Sequence, residues 1–123
     1  MYVFSPGVLL WVIIGVVIGL IVGILPGLGI TATLAILLPV VYGLNPTFAL
    51  TFLIAVYAAG SQGGAATSIL FGIPGETTSV ATILDGYPMA QQGKAGRALG
   101  ISQMASVIGT IFGGMVLALL IPI

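Results

Sequence analysis

Only four side chains in this 123-residue chain carry charge, and all four fall in one stretch, Gly60 to Arg97: Glu76, Asp85, Lys94 and Arg97. The same stretch holds the polar run Gly60-Ser61-Gln62-Gly63-Gly64 and the sequence Ile73-Pro74-Gly75-Glu76-Thr77-Thr78-Ser79. The chain has no Cys and no His, which excludes thiolate nucleophiles, imidazole bases and the common zinc sites. An intramembrane acid pair would need Glu76 and Asp85 to meet, and nothing in their spacing brings them together. No enzyme, cofactor or metal centre is therefore expected. What the stretch does offer is backbone. Pro-Gly steps free N–H and C=O groups from helical pairing, and Thr and Ser add neutral hydroxyls.

The elements around this stretch are set by their solvent. The chain is 59% hydrophobic and 3% charged, against roughly 25% charged in soluble domains. Four charges cannot cover a soluble surface of this size, so the lipid bilayer is the expected partner. Net charge is zero, so the basic footprint of a nucleic-acid binder is missing. The expected fold class is an all-α membrane protein whose transmembrane helices include Pro-Gly-broken or re-entrant segments. Residues 1–123 read as a single membrane-embedded region.

In chain order, Met1 to Gly7 form a short lead in which Ser5 and Pro6 are placed to start a helix. Val8 to Leu25 is an apolar run of 18 residues, about 27 Å as a helix and close to the ~30 Å hydrocarbon core. It is too long for a signal-peptide core and has no Lys or Arg in front. Gly15, Gly19 and Gly23 recur every fourth residue and predict a seam for close helix approach. Pro26-Gly27-Leu28-Gly29 stops this helix, and Ile30 to Tyr42 is then short for a span, as in a half-helix or a tilted short helix. Gly43-Leu44-Asn45-Pro46 reads as a turn.

Thr47 to Ile73 is longer than one span needs. The expectation is a span to Ala59, an unwound patch at Gly60 to Gly64, and an arm from Ala65 to Ile73. A helix then begins near Thr77, Thr78 and Ser79, with hydroxyls as caps, and Asp85-Gly86-Tyr87-Pro88 reads as a tight turn. Lys94 and Arg97 vote for a cytoplasmic location of this region. Ala98 to Ile121 spans once more, and its small-residue stripes (Ser102, Ser106, Thr110, Gly114 and Ala105, Gly109, Gly113) predict burial among other helices. The apolar ending Ile121-Pro122-Ile123 reads as a cut. Leu25-Pro26-Gly27 and Ile73-Pro74-Gly75 echo one another, as paired broken helices of transporters do.

One ordered series is more specific: Gly23 to Gly29 (GILPGLG), Ala35 to Pro39 (AILLP), Gly63-Gly64, Ile73 to Glu76 (IPGE), Ser79 to Thr82 (SVAT), Asp85 to Ala90 (DGYPMA) and Gln92-Gly93. It resembles the large membrane subunit of the tripartite tricarboxylate transporters, the TctA family, from about Gly15 onward. The family often has Tyr-Gly-Gly-Ser where this chain has Gln62-Gly63-Gly64-Ala65, Asn where Gly72 stands, and Pro where Ile30 stands. The resemblance implies the N-terminal portion of a larger, multi-pass transporter subunit in the bacterial inner membrane. It implies import of tricarboxylates or related organic carboxylates by symport with sodium or protons. The partners implied are a periplasmic solute-binding protein, a small four-helix membrane subunit and the remainder of the transporter subunit. The rival expectation is a truncated, non-transporting membrane fragment or helical assembly subunit; either way, this chain alone is not expected to transport.

For a carboxylate substrate the apolar segments supply no Lys or Arg, so its charge must be met by helix N-termini and hydroxyls. The expected substrate-binding residues are Pro26, Gly27, Gly29, Thr31, Pro74, Gly75, Thr77, Thr78 and Ser79. Ion coupling is expected from carbonyls freed around Gly60, with Ser61, Gln62, Gly63, Gly64, Thr67 and Ser68. Glu76 has two readings, a cation or proton site and a helix-start carboxylate; Asp85 reads as a turn former.

Overall fold

A computed structural model describes residues 4–121 of the chain. Among these the regular structure is helical: α1 (Pro6–Ile24), α2 (Ile30–Val41), α3 (Pro46–Phe71), α4 (Val80–Gln91) and α5 (Ala95–Leu120), with a single 3-10 turn at Thr77–Ser79. Three of them, α1, α3 and α5, are long and apolar enough to cross a membrane. The expected all-α membrane fold is what the structure shows. The reading of Met1 to Val3 as part of a polar lead, and of Pro122 and Ile123 as part of a cut end, lies outside the described residues.

The helix starts follow local chemistry. Ser5 caps α1, its hydroxyl accepting from the Val8 N–H at 3.4 Å, with Pro6 in the first turn. Asn45 caps α3 by accepting from the Thr47 N–H at 3.1 Å, with Pro46 behind it. Both prolines sit where a missing N–H costs nothing. The first two long helices each stop just ahead of a Pro-Gly step that leads to a 12-residue helix, α1 to α2 across Pro26-Gly27 and α3 to α4 across Pro74-Gly75 and the 3-10 turn. At about 1.5 Å per residue such a helix is about 18 Å long, well short of the bilayer core. The echo in the sequence is thus an echo in structure: long helix, Pro-Gly break, short helix, twice.

Packing centres on α1 against α3. Gly15, Gly19 and Gly23 are the buried face of α1 along with Val8. An added Cβ at Gly15 would stand 2.8 Å from the Phe52 carbonyl, and one at Gly19 would stand 2.5 Å from that of Val56. Backbones this close exclude any side chain, and the predicted glycine seam is the main interface of the fold. Near the Ser5 end Trp11 and Phe52 meet edge to face at 5.6 Å, over a small core of Val41, Phe52 and Val56.

Two expectations need correction. First, α3 is one continuous helix through Gly60 to Gly64, with no unwound patch. Unwinding would strand polar backbone groups at several kcal/mol each in an apolar setting, whereas helical glycines leave room for three neighbours at once. Gly60 carries α1 and the Ile30 side chain, Gly63 lies against Leu20 and Gly23, and Gly64 lies against Glu76 and Ser79. Second, Asp85-Gly86-Tyr87-Pro88 is not a tight turn but lies inside α4. Gly86 is buried because a Cβ there would stand 2.7 Å from Ile69, and the Tyr87 ring covers Gly72, the left-handed glycine that ends α3. Packing on α3 outweighs turn propensity. The burial expected for α5 among other helices is not supplied by the helices described: among its residues only Ala98 is buried, and Gly109, Gly113 and Gly114 face open space.

Candidate functional site

The two Pro-Gly breaks come together. Gly27 and Gly29 from the first, and Pro74, Gly75, Glu76 and Thr77 from the second, line one cleft of about 190 Å³ that Val80 completes. Glycine is required here twice over. Gly27 and Gly29 hold φ of +95° and +48°, the left-handed region that other residues avoid. Gly75 is needed for space instead, since a Cβ there would lie 2.5 Å from the Gly23 carbonyl oxygen and 2.7 Å from the Gly64 Cα. Behind the cleft wall at Gly75 thus stands a stack of bare backbone, Gly23 of α1 and Gly64 of α3.

Hydroxyls lock this stack. The Ser79 hydroxyl accepts from the Glu76 N–H at 3.1 Å and donates to the Glu76 carbonyl at 2.8 Å, closing the 3-10 turn on itself. Ser79 is buried, while Glu76 is half-buried beside the cleft. The Thr33 hydroxyl donates to the Gly29 carbonyl at 3.1 Å and holds the start of α2. The Thr67 hydroxyl stands 3.1 Å from the Gly63 carbonyl and 3.5 Å from that of Ile24 in the last turn of α1. Ser68, fully buried, donates to the Gly64 carbonyl at 2.9 Å.

The sequence-predicted residues therefore divide. Gly27, Gly29, Pro74, Gly75, Thr77 and Glu76 share the cleft. Pro26, Thr31 and Thr78 are exposed and do not line it, and Ser79 supports it from below. Ser61 and Gln62 are half-buried on α3, and Gly63, Gly64, Thr67 and Ser68 are buried there. The carbonyls of Gly63 and Gly64 are not freed, and each accepts from a Thr67 or Ser68 hydroxyl. Sequence reasoning missed Val80 and Thr33. The i, i+4 spacing of Thr33 from Gly29, which lets a hydroxyl reach a helical carbonyl, was the available signal for the latter.

Electrostatically the cleft has one charged side chain, Glu76, and its other lining groups are neutral. Two helical segments begin at its rim, α2 after Gly29 and the 3-10 turn leading into α4 after Glu76. The first N–H groups of a helix lack intrahelical partners and carry partial positive charge. The cleft thus lies beside the starts of two helical segments, with one carboxylate at its edge.

Long apolar helices interrupted at paired Pro-Gly steps that meet in one cleft are a feature of membrane transporters. Residues 9–123 match the tripartite tricarboxylate transporter TctA family. The chain belongs to that family and is a component of a membrane transporter. It is also 41% identical over 119 residues to an uncharacterized 52.8 kDa protein in the TAR-I ttuC' 3' region of Agrobacterium vitis. That match covers 97% of this chain and 23% of the relative, so the chain spans about a quarter of the curated relative's length. No solved structure matches it.

Proposed function

We propose that this chain supplies half of a carboxylate site to a binding-protein-dependent secondary transporter, and that the cleft between the two Pro-Gly breaks is that half. The observation that carries the reading is the meeting of Gly27, Gly29, Gly75 and Thr77 in one cleft at the start of two helical segments. Helix N-termini and backbone N–H groups bind carboxylates without a fixed cation, and transporters use half-helix ends in this way. The volume, about 190 Å³, is below the ~300–1,000 Å³ of pockets for drug-sized ligands and suits a small organic acid or one end of a larger one. On this reading the substrate is a tricarboxylate or related carboxylate, delivered by a periplasmic solute-binding protein across the bacterial inner membrane. A small four-helix membrane subunit and further transporter helices complete the assembly.

Glu76 gives the reading its coupling. An anion entering beside Glu76 meets a like charge unless a proton or a sodium ion comes with it, so symport follows from charge compensation. The part expected of Ser61, Gln62, Gly63, Gly64, Thr67 and Ser68 rested on freed carbonyls, and the coupling role narrows to Glu76. The test is citrate binding, by calorimetry, to the chain in lipid nanodiscs at fixed ionic strength with sodium exchanged for choline and with pH varied. Saturable binding that needs sodium or a proton, and that loses this need in Glu76→Gln, supports the reading. Citrate binding that is absent under all conditions, or indifferent to Glu76→Gln, refutes it.

A further inference from the structure

The only two cations of this chain stand one turn apart at the start of its last helix. Lys94 is the N-cap residue of α5, and Arg97 lies in its first turn. Both are exposed, and neither lines the Pro-Gly cleft. The residues just ahead, Gln91, Gln92 and Gly93, are polar or bare and exposed as well. At 26 residues, α5 is about 39 Å long, against a hydrocarbon core of ~30 Å, which leaves its polar start at headgroup depth. Arg97 heads a groove of about 560 Å³ whose other lining residues are Gly100, Ile101, Met104, Ala105 and Ile108. Their spacing of three and four makes them one face of α5, running inward from the cation. From Arg97 to Ile108 the groove is about 16 Å long at ~1.5 Å per residue, which is the depth of one leaflet of a ~30 Å core. A Cβ at Gly100 would meet nothing within 4 Å, so the groove is bare one turn in from the guanidinium. Its lining holds no carboxylate; Asp85 belongs to a different groove, toward α4.

We propose that Lys94, Arg97 and the groove from Gly100 to Ile108 form a binding site for one anionic phospholipid, separate from the carboxylate cleft and independent of whether that cleft binds its ligand. Charge and length both select this occupant. The lipid phosphate accepts from the Arg97 guanidinium, whose planar fork suits two parallel bonds, and Lys94 adds a second positive charge. α5 starts without a side-chain cap, so its first N–H groups add partial positive charge at the same place. One acyl chain enters the gap at Gly100 and follows Ile101, Met104 and Ile108 to the depth of its leaflet, with the flexible Met104 fitting itself to the chain. A zwitterionic headgroup carries its own cation, which Lys94 and Arg97 repel, so net negative charge is preferred. A free phosphate ion fills only the mouth and leaves the apolar length of the groove unused.

The test uses the chain in bilayers of phosphatidylcholine mixed with phosphatidylglycerol, one of the two brominated on its acyl chains in turn, with no carboxylate substrate present. The chain has one tryptophan, Trp11, so Trp11→Phe with Ile108→Trp puts a single fluorophore at the inner end of the groove, where bromine quenches it. Leu119→Trp, at the far end of α5 and exposed, reports ordinary lipid contact. A basic residue at an anionic surface adds roughly fivefold in affinity. Expected at Ile108→Trp is therefore a preference for phosphatidylglycerol of roughly fivefold to twenty-fivefold, and none at Leu119→Trp. Arg97→Gln is expected to cut the preference roughly fivefold and Arg97→Lys to keep most of it. Gly100→Leu fills the groove with both charges intact and is expected to abolish the preference, whereas Gly113→Leu, at an equally open glycine outside the groove, is expected to leave it. Equal quenching by the two lipids at Ile108→Trp overturns the proposal, as does a preference that survives Arg97→Gln. A preference that survives Gly100→Leu overturns it too, since the charges alone would then collect the lipid. So does displacement of the brominated lipid by soluble glycerol phosphate, which would make the site one for phosphate and not for a lipid.

Discussion

Replacing Gly75 by alanine tests whether the cleft is built on bare backbone. The added methyl carbon would lie 2.5 Å from the Gly23 carbonyl oxygen and 2.7 Å from the Gly64 Cα, where ordinary contact begins at 3.4 Å. Both obstacles are main chain of spanning helices, so no side chain can swing aside. The second break must lift by about 0.9 Å, the gap between the contact it would make and an ordinary one. Overpacking of this kind costs about 1–3 kcal/mol, and because Gly75 also lines the cleft, the strain falls on the ligand site. With about 1.4 kcal/mol per tenfold, citrate affinity is expected to drop roughly fivefold to a hundredfold. The assays are calorimetry in nanodiscs and SDS-induced unfolding followed by helicity. Gly109→Ala is the control, since its methyl group meets nothing within 4 Å. If Gly75→Ala unfolds with the wild type and binds citrate within twofold, the packing of Gly75 on Gly23 and Gly64 is not a constraint and the reasoning fails.

Three further outcomes follow from the same packing. Gly19→Ala places a Cβ 2.5 Å from the Val56 carbonyl and 2.9 Å from the Ala59 Cβ; destabilisation of about 1–3 kcal/mol is expected in SDS unfolding, and none would mean that α1 and α3 do not pack on this seam. Ser79→Ala removes the acceptor for the Glu76 N–H and should cost about 1 kcal/mol, together with weaker citrate binding as Glu76 is released; a loss in stability with unchanged citrate affinity would detach Ser79 from the site. Thr67→Val deletes the hydroxyl between the Gly63 and Ile24 carbonyls at nearly constant shape. Interhelical hydrogen bonds in membranes average about 0.6 kcal/mol, so a small loss in SDS unfolding is expected, and one above about 2 kcal/mol would show that α1 depends on this bond far more than such bonds usually contribute.

Much of the fold is legible because lipid leaves the chain few options. The first span, its Ser5-Pro6 start, its stop at Pro26 and its Gly15-Gly19-Gly23 face all follow from composition, capping and four-residue spacing. The cleft was half legible: each Pro-Gly break announces itself, but only packing brings Gly27 and Gly75 together. Gly60 to Gly64 misled because glycine reads alike whether a helix unwinds or is closely approached. The sequence does not reveal that α1, Ile30 and the Glu76 turn all need the same patch of α3. Asp85-Gly86-Tyr87-Pro88 misled for the same reason, since Gly86 is there to admit Ile69 and not to turn the chain. In both places local propensity lost to the space that a neighbouring helix requires.

The unbroken α3 alters what kind of machine the cleft can belong to. Had α3 unwound at Gly60, the site would have sat inside a helix whose own dihedrals change with ligand. Instead α3 is a rigid post, tied to α1 by backbone contact at Gly15, Gly19 and Gly23 and to the second break at Gly64. The two breaks differ in the room they have. Gly27 meets nothing within 4 Å of an added Cβ, and neither does Gly29. Gly75 by contrast is clamped between two spans. An asymmetry follows: the first break has room at Gly27 and Gly29, up to the anchored Ile30, while the second is clamped at Gly75. A ligand drawn to both breaks would therefore be held by Gly75 and Thr77 and released by motion at Gly27 and Gly29. Substitutions that stiffen the first break, such as Gly27→Ala at its φ of +95°, should then slow exchange of bound citrate more than they weaken its binding. Stopped-flow displacement set beside calorimetry would show it, and equal effects on rate and affinity would mean that the two breaks move as one.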